Sequence, residues 1–152
     1  MKMIMALIYF VLVLLLYGCI KDSPTESSLK TDATIEEAKA FWDSKKITNY
    51  TLEQTTKSWY PWSGDSVRIK VVGDTIQSVT FVKTEISLVK DSFGRYKTIE
   101  QLFEIAALDT NRYNISYELD AKYGYPKILF YEIKPPPRTE GGFKIITYSF
   151  RR

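Results

Sequence analysis

Thr98-Ile99-Glu100-Gln101-Leu102-Phe103-Glu104-Ile105-Ala106 opens with a threonine, carries a glutamine at its third helical position and repeats apolar residues at helical spacing. Thr98-x-x-Gln101 is a capping box, in which the threonine side chain and the glutamine side chain each satisfy a backbone N–H at a helix start. Ile99, Leu102, Phe103 and Ala106 then share one face, which predicts a short amphipathic helix. Glu100 and Glu104 lie four apart on the other side and are expected to point into water.

Downstream of this helix the period changes from helical to alternating. Tyr113, Ile115, Tyr117 and Leu119 alternate with polar residues, and Lys127 to Ile133 and Phe143 to Arg151 read as two more strands. Tyr123-Gly124-Tyr125-Pro126 and the stretch from Pro135-Pro136-Pro137 to Gly141-Gly142 supply the turns. Upstream, past a linking stretch from Thr84 to Lys97, the same order occurs. Thr34-x-x-Glu37 is a second capping box, followed by Ile35, Ala38, Phe41 and Trp42, so a helix is expected to about Lys46. Thr48 to Thr55, Val67 to Val71 and Ile76 to Val82 read as strands, with Gly73-Asp74 as the hairpin turn between the last two. The expected fold class is therefore α+β: a tandem αβββ arrangement with two helices packed on one face of an antiparallel sheet, forming one domain over residues 34–152.

The first residues carry an address. From Met3 to Tyr17 the chain holds no charge. A run of that length suits the apolar region of a signal peptide better than a bilayer span, which needs about 20 apolar residues. Leu16-Tyr17-Gly18-Cys19 resembles the bacterial lipobox, so residues 1–18 are expected to be a lipoprotein signal peptide and Cys19 the lipidated residue. Residues 19–33 are polar and aperiodic, as a flexible tether would be. Two or three acyl chains hold a protein on a membrane far more firmly than one. The expected location is the bacterial cell envelope, lipid-anchored at the outer membrane.

Composition excludes much chemistry. The 152 residues contain no histidine and one cysteine. A Ser-His-Asp triad, a histidine general base and a histidine-ligated metal site therefore cannot be built from this chain. With Cys19 acylated, no thiol remains for a disulfide or a thiolate site. The net charge is +3, without a long run of like charge, so no nucleic-acid partner is expected. No cofactor and no metal are expected either.

Several segments taken in order resemble an uncharacterised family of bacterial secreted proteins and lipoproteins, a domain of unknown function. They are Asn49-Tyr50-Thr51-Leu52-Glu53-Gln54, Val67-Arg68-Ile69-Lys70-Val71, Thr98-Ile99-Glu100-Gln101-Leu102-Phe103, Tyr117-Glu118-Leu119-Asp120 and Tyr123-Gly124-Tyr125-Pro126. Many members of that family carry Cys-x-Cys after the first strand, where Ser58-Trp59-Tyr60 stands here, so a disulfide or metal role of that pair does not transfer. The architecture is also similar to PepSY-like domains and β-lactamase-inhibitor proteins, by analogy of fold alone.

Two aromatic groups are candidate ligand or partner sites. Trp59, Tyr60 and Trp62 surround Pro61 between the first two strands and could stack on a sugar ring or anchor a protein; alternatively they cover the edge of the core. Tyr123 and Tyr125 flank Gly124, either facing a ligand or packing as turn residues. Glu118, Asp120 and Glu132 could approach one another across neighbouring strands, as a carboxylate hydrolase would require. The expected function is a non-catalytic interaction domain of a membrane-anchored envelope lipoprotein, with an envelope protein or a cell-wall component as partner. A PepSY-like inhibitor or regulator of an exported enzyme is the second reading, and a small carboxylate-dependent hydrolase the third.

Overall fold

The computed structural model describes residues 28–58, 64–134 and 142–152. Helix α1 spans Ile35–Ser44 and is followed by strands β1 (Tyr50–Lys57), β2 (Ser66–Val72) and β3 (Thr75–Phe81). A 3-10 helix, Lys90–Arg95, precedes helix α2 (Ile99–Ala106) and strands β4 (Tyr113–Leu119), β5 (Pro126–Ile133) and β6 (Phe143–Arg151).

Both helices start through reciprocal caps. Thr34 Oγ1 accepts the Glu37 N–H at 3.3 Å, while Glu37 Oε2 accepts the Thr34 N–H at 2.9 Å. Thr98 and Gln101 repeat the exchange at 3.3 and 3.0 Å. The β2–β3 turn places Gly73 and Asp74 at φ 55° and 58°. That pair of left-handed conformations makes a turn whose twist matches the strands.

The strands form one antiparallel sheet in the order β3-β2-β1-β6-β5-β4. Pairing of β1 with β6, from Thr51 opposite Arg151 to Lys57 opposite Lys144, sews the two meanders together. Leu52, Val67, Ile69, Val79, Leu129 and Ile145 form the buried floor on one face. Ile99, Leu102 and Phe103 of α2 and Ala38 and Trp42 of α1 complete the core.

This arrangement corrects the expected fold class. The molecule is dominated by a six-stranded antiparallel sheet with two short helices, rather than a balanced α+β sandwich with two helices covering a sheet. Lengths explain the difference. At 1.5 Å per residue, helices of 10 and 8 residues are about 15 and 12 Å long. Six strands about 4.8 Å apart are wider than two such helices lying against each other can cover. The rest of the buried face is closed by the stretch read as a link, through Leu88, Phe93 and Tyr96. The two αβββ runs are also not equivalent units. The strand after α1 is central, whereas the strand after α2 is an edge. The analogy with tandem PepSY-like architectures loses its basis with that sheet order.

Of the expected tether, Leu29 is packed against the core and donates its N–H to the Ala121 carbonyl at 2.9 Å. Cys19 and the expected signal peptide lie outside the described residues, as do Trp59, Tyr60 and Trp62. No described helix is long and apolar enough to cross a membrane.

Candidate functional site

One end of the sheet carries a cavity, and β1 shows how it is built. Gln54 is fully buried, and its amide meets both backbone groups of Lys97: Oε1 accepts the Lys97 N–H at 3.0 Å and Nε2 donates to the Lys97 carbonyl at 3.2 Å. This clamp holds the end of the 3-10 segment over the sheet. Two residues further along β1, Thr56 lines a cavity of about 340 Å³ whose wall also takes in Gly94, Arg95, Tyr96 and Lys97.

Its walls are mostly apolar and aromatic, from Phe81, Leu88, Tyr96, Tyr131, Phe143 and Ile145. Tyr131 and Phe143 stack with ring centres 5.4 Å apart and an interplanar angle of 18°. Burial raises the hydroxyl pKa of Tyr131 above its ordinary value. Burial does the same to Tyr96, with Arg95 opposing it, so both phenols are held neutral and able to donate.

Among the described residues the buried Thr56 hydroxyl, on the cavity wall, has no hydrogen-bond partner. The neighbouring Thr147, opposite Gln54 in the register, is likewise unpartnered but lies off the cavity wall. An unsatisfied buried hydroxyl costs free energy that a bound polar group would recover. Asp65, Arg95 and Lys97 bring charge of both signs to the same wall, and Lys97 Nζ donates to the Gly94 carbonyl at 2.8 Å. Such a site suits a molecule with an apolar body and a hydrogen-bonding group.

The expected site residues fall in other places. Ser58 and Gly64, which flank the undescribed Trp59-to-Trp62 segment, both line this cavity. Tyr123 and Tyr125 stand at the opposite end of the sheet. Tyr125 is 3% exposed, with its ring edge-on to Trp42 at 6.2 Å. Tyr123 and Tyr125 both pack on Phe150, at 4.7 and 5.4 Å. Gly124 between them has φ 83°, and a Cβ there would lie 2.9 Å from the Phe41 ring and 3.2 Å from the Ala38 carbonyl. The turn is built for close approach to α1.

The three carboxylates are not brought together. Glu118 pairs with Lys127 at 3.7 Å, Glu132 accepts from Asn114 at 3.3 Å further along the same strand pair, and Asp120 accepts the N–H groups of Lys122 and Tyr123 in its own turn. Among the described residues no group of three or more acidic or cysteine side chains could hold a metal ion. Glu100, expected to face water, instead accepts from the Trp42 indole at 2.7 Å and pairs with Lys39 at 3.1 Å. Sequence reading missed Thr56, Tyr96, Tyr131 and Phe143. The apolar residues Leu88, Phe93 and Tyr96 within a stretch taken as a link were the available signal.

A model of a family of unknown function, DUF6174, matches residues 34–135. No curated protein matches the chain, and no solved structure does.

Proposed function

We propose that this chain, which belongs to the DUF6174 family of unknown function, is a non-catalytic binding domain held on a bacterial membrane through an acylated Cys19. Its ligand is a small envelope component with an apolar body, such as a cell-wall fragment. The observation that carries this reading is the cavity of about 340 Å³, lined by aromatic rings and by the Thr56 hydroxyl, which has no partner among the described residues. Binding rather than catalysis is favoured because the chain lacks histidine and its candidate carboxylates are engaged separately.

The test is native mass spectrometry of the full chain after incubation with a small-molecule extract of bacterial envelopes. Wild type should retain a discrete added mass, and Leu88→Trp, which fills the cavity, should lose it while keeping its melting temperature within a few degrees. Retention by Leu88→Trp equal to wild type, or no retained mass with wild type, would remove the cavity as the binding site.

A further inference from the structure

The two edges of the sheet are treated differently. Outside β3, the chain folds back: the Phe81 N–H donates to the Ile86 carbonyl at 2.9 Å, the Leu88 N–H donates to the Val79 carbonyl at 2.8 Å, and Thr80 bridges Ser87. Outside β4 no described strand lies, since β4 ends the sheet and pairs only with β5.

The register tells which groups are left over. Lys134 donates its N–H to the Arg112 carbonyl at 2.8 Å, and that pair continues through Asn114–Glu132, Ser116–Phe130 and Glu118–Ile128. In an antiparallel ladder, hydrogen-bonded positions alternate with positions whose backbone groups point away. Tyr113, Ile115 and Tyr117 therefore aim their N–H and C=O groups outward. The Tyr113 N–H is taken by the Asp109 carbonyl at 3.0 Å. Among the described residues the N–H and C=O of Ile115 and of Tyr117 meet no partner. An uncovered strand of this kind invites another strand.

Its sequence specifies which one. Arg112-Tyr113-Asn114-Ile115-Ser116-Tyr117-Glu118 is a palindrome of chemistry about Ile115: a cation, a tyrosine and an amide on one side, a hydroxyl, a tyrosine and an anion on the other. Antiparallel pairing with a second copy about that centre sets Ile115 against the partner's Ile115 and Tyr113 against the partner's Tyr117. It also sets Asn114 against the partner's Ser116. Arg112 faces the partner's Glu118 twice over, by the two-fold symmetry of an isologous contact. Arg112 and Glu118 are both exposed. No like charges oppose, and aromatic and β-branched residues stack on one face. The outward groups supply a central reciprocal pair of hydrogen bonds at Ile115, flanked by the Tyr117 N–H to the partner's Tyr113 carbonyl on each side.

From this self-complementarity we infer that β4 is a homodimer interface, joining two copies into a continuous twelve-stranded sheet. The contact goes beyond the ligand-binding reading and does not depend on it, because no described residue of β4 lines the cavity.

The test is sedimentation equilibrium of the full chain in density-matched detergent, with Arg112→Glu and Glu118→Arg as separate variants. The wild type should dimerise. Each variant alone opposes like charges twice and should dimerise about tenfold or more weakly, whereas the two mixed together restore both ion pairs and should associate like wild type. Both residues are exposed, so unchanged melting curves separate lost association from lost folding. A monomeric wild type, or a dimer indifferent to either variant, overturns the assignment. So does a mixture no stronger than its components.

Discussion

The indole Nε1 of Trp42 donates to Glu100 Oε1 at 2.7 Å, joining the two α-helices across 58 residues of sequence. Trp42 is 2% exposed, so its N–H has little access to water. Lys39 holds the same carboxylate at 3.1 Å while also bonding Asp43 at 2.6 Å. Glu100→Leu should therefore cost about 1–3 kcal/mol by leaving a buried donor unpaired. Glu100→Gln, which keeps an acceptor, should cost less than half as much. Urea denaturation of the two variants checks this, and equal losses would show that the bond does not stabilise the helix pair.

Phe103 and Glu104 are neighbours on α2 with opposite fates. Phe103 is buried against the sheet, and Glu104 is exposed. Phe103→Ala should lower stability by about 3–5 kcal/mol, enough to leave the domain near its unfolding limit. Glu104→Ala should change it by less than about 0.5 kcal/mol. Thermal melts that moved equally for both would contradict the assigned helix face.

Gln54 is the clamp that positions the cavity wall. Gln54→Leu leaves the Lys97 N–H and carbonyl without their side-chain partner, which should cost about 2–4 kcal/mol. It should also quicken hydrogen exchange over residues 90–97 ahead of α2, because the segment loses its tie to β1. Uniform acceleration across the whole domain would mean that the amide supports the core generally and not this segment.

Tyr50 gives the molecule an alkaline limit. Its hydroxyl oxygen accepts the Ile99 N–H at 2.8 Å, and burial raises its pKa well above the ordinary value of 10.0. The folded state thus favours the neutral phenol more than the unfolded chain does. The resulting stability is complete below about pH 10 and declines as pH rises past it, since ionisation is then favoured only on unfolding. Tyr50→Phe lacks this titration, so its stability deficit relative to wild type should shrink above pH 10. Denaturation curves at pH 8 and pH 11 measure the difference. A constant deficit would place the phenol's pKa at its ordinary value.

The proposed membrane attachment rests on Cys19. Cys19→Ala should abolish acylation and release the chain from membranes once the signal is cleaved, because the acyl chains on that residue are the proposed anchor. Membrane fractionation together with the mass of the mature N-terminus provides the measurement. Full membrane retention with normal cleavage would overturn the anchor.

By itself the sequence determined the local elements, because the signals for them are local. Thr34 and Thr98 name their helix starts through residues three positions away. Gly73-Asp74 names a turn that needs two left-handed residues. Alternation from Tyr113 to Leu119 marks a strand whatever its neighbours are. Tertiary structure alone decided what these elements do together. That β1 pairs with β6 rather than standing beside β4 depends on contacts between the two ends of the domain, which no local pattern encodes. That pairing made the fold a wide sheet instead of a two-layer sandwich of repeats. It also turned the 84–97 stretch into core cover, placed Gln54 under Lys97, and gave Glu100 a buried indole partner instead of water. A polar side chain reads the same in sequence whether it meets solvent or a donor from a distant helix, since only the packed chain brings the donor within hydrogen-bonding distance.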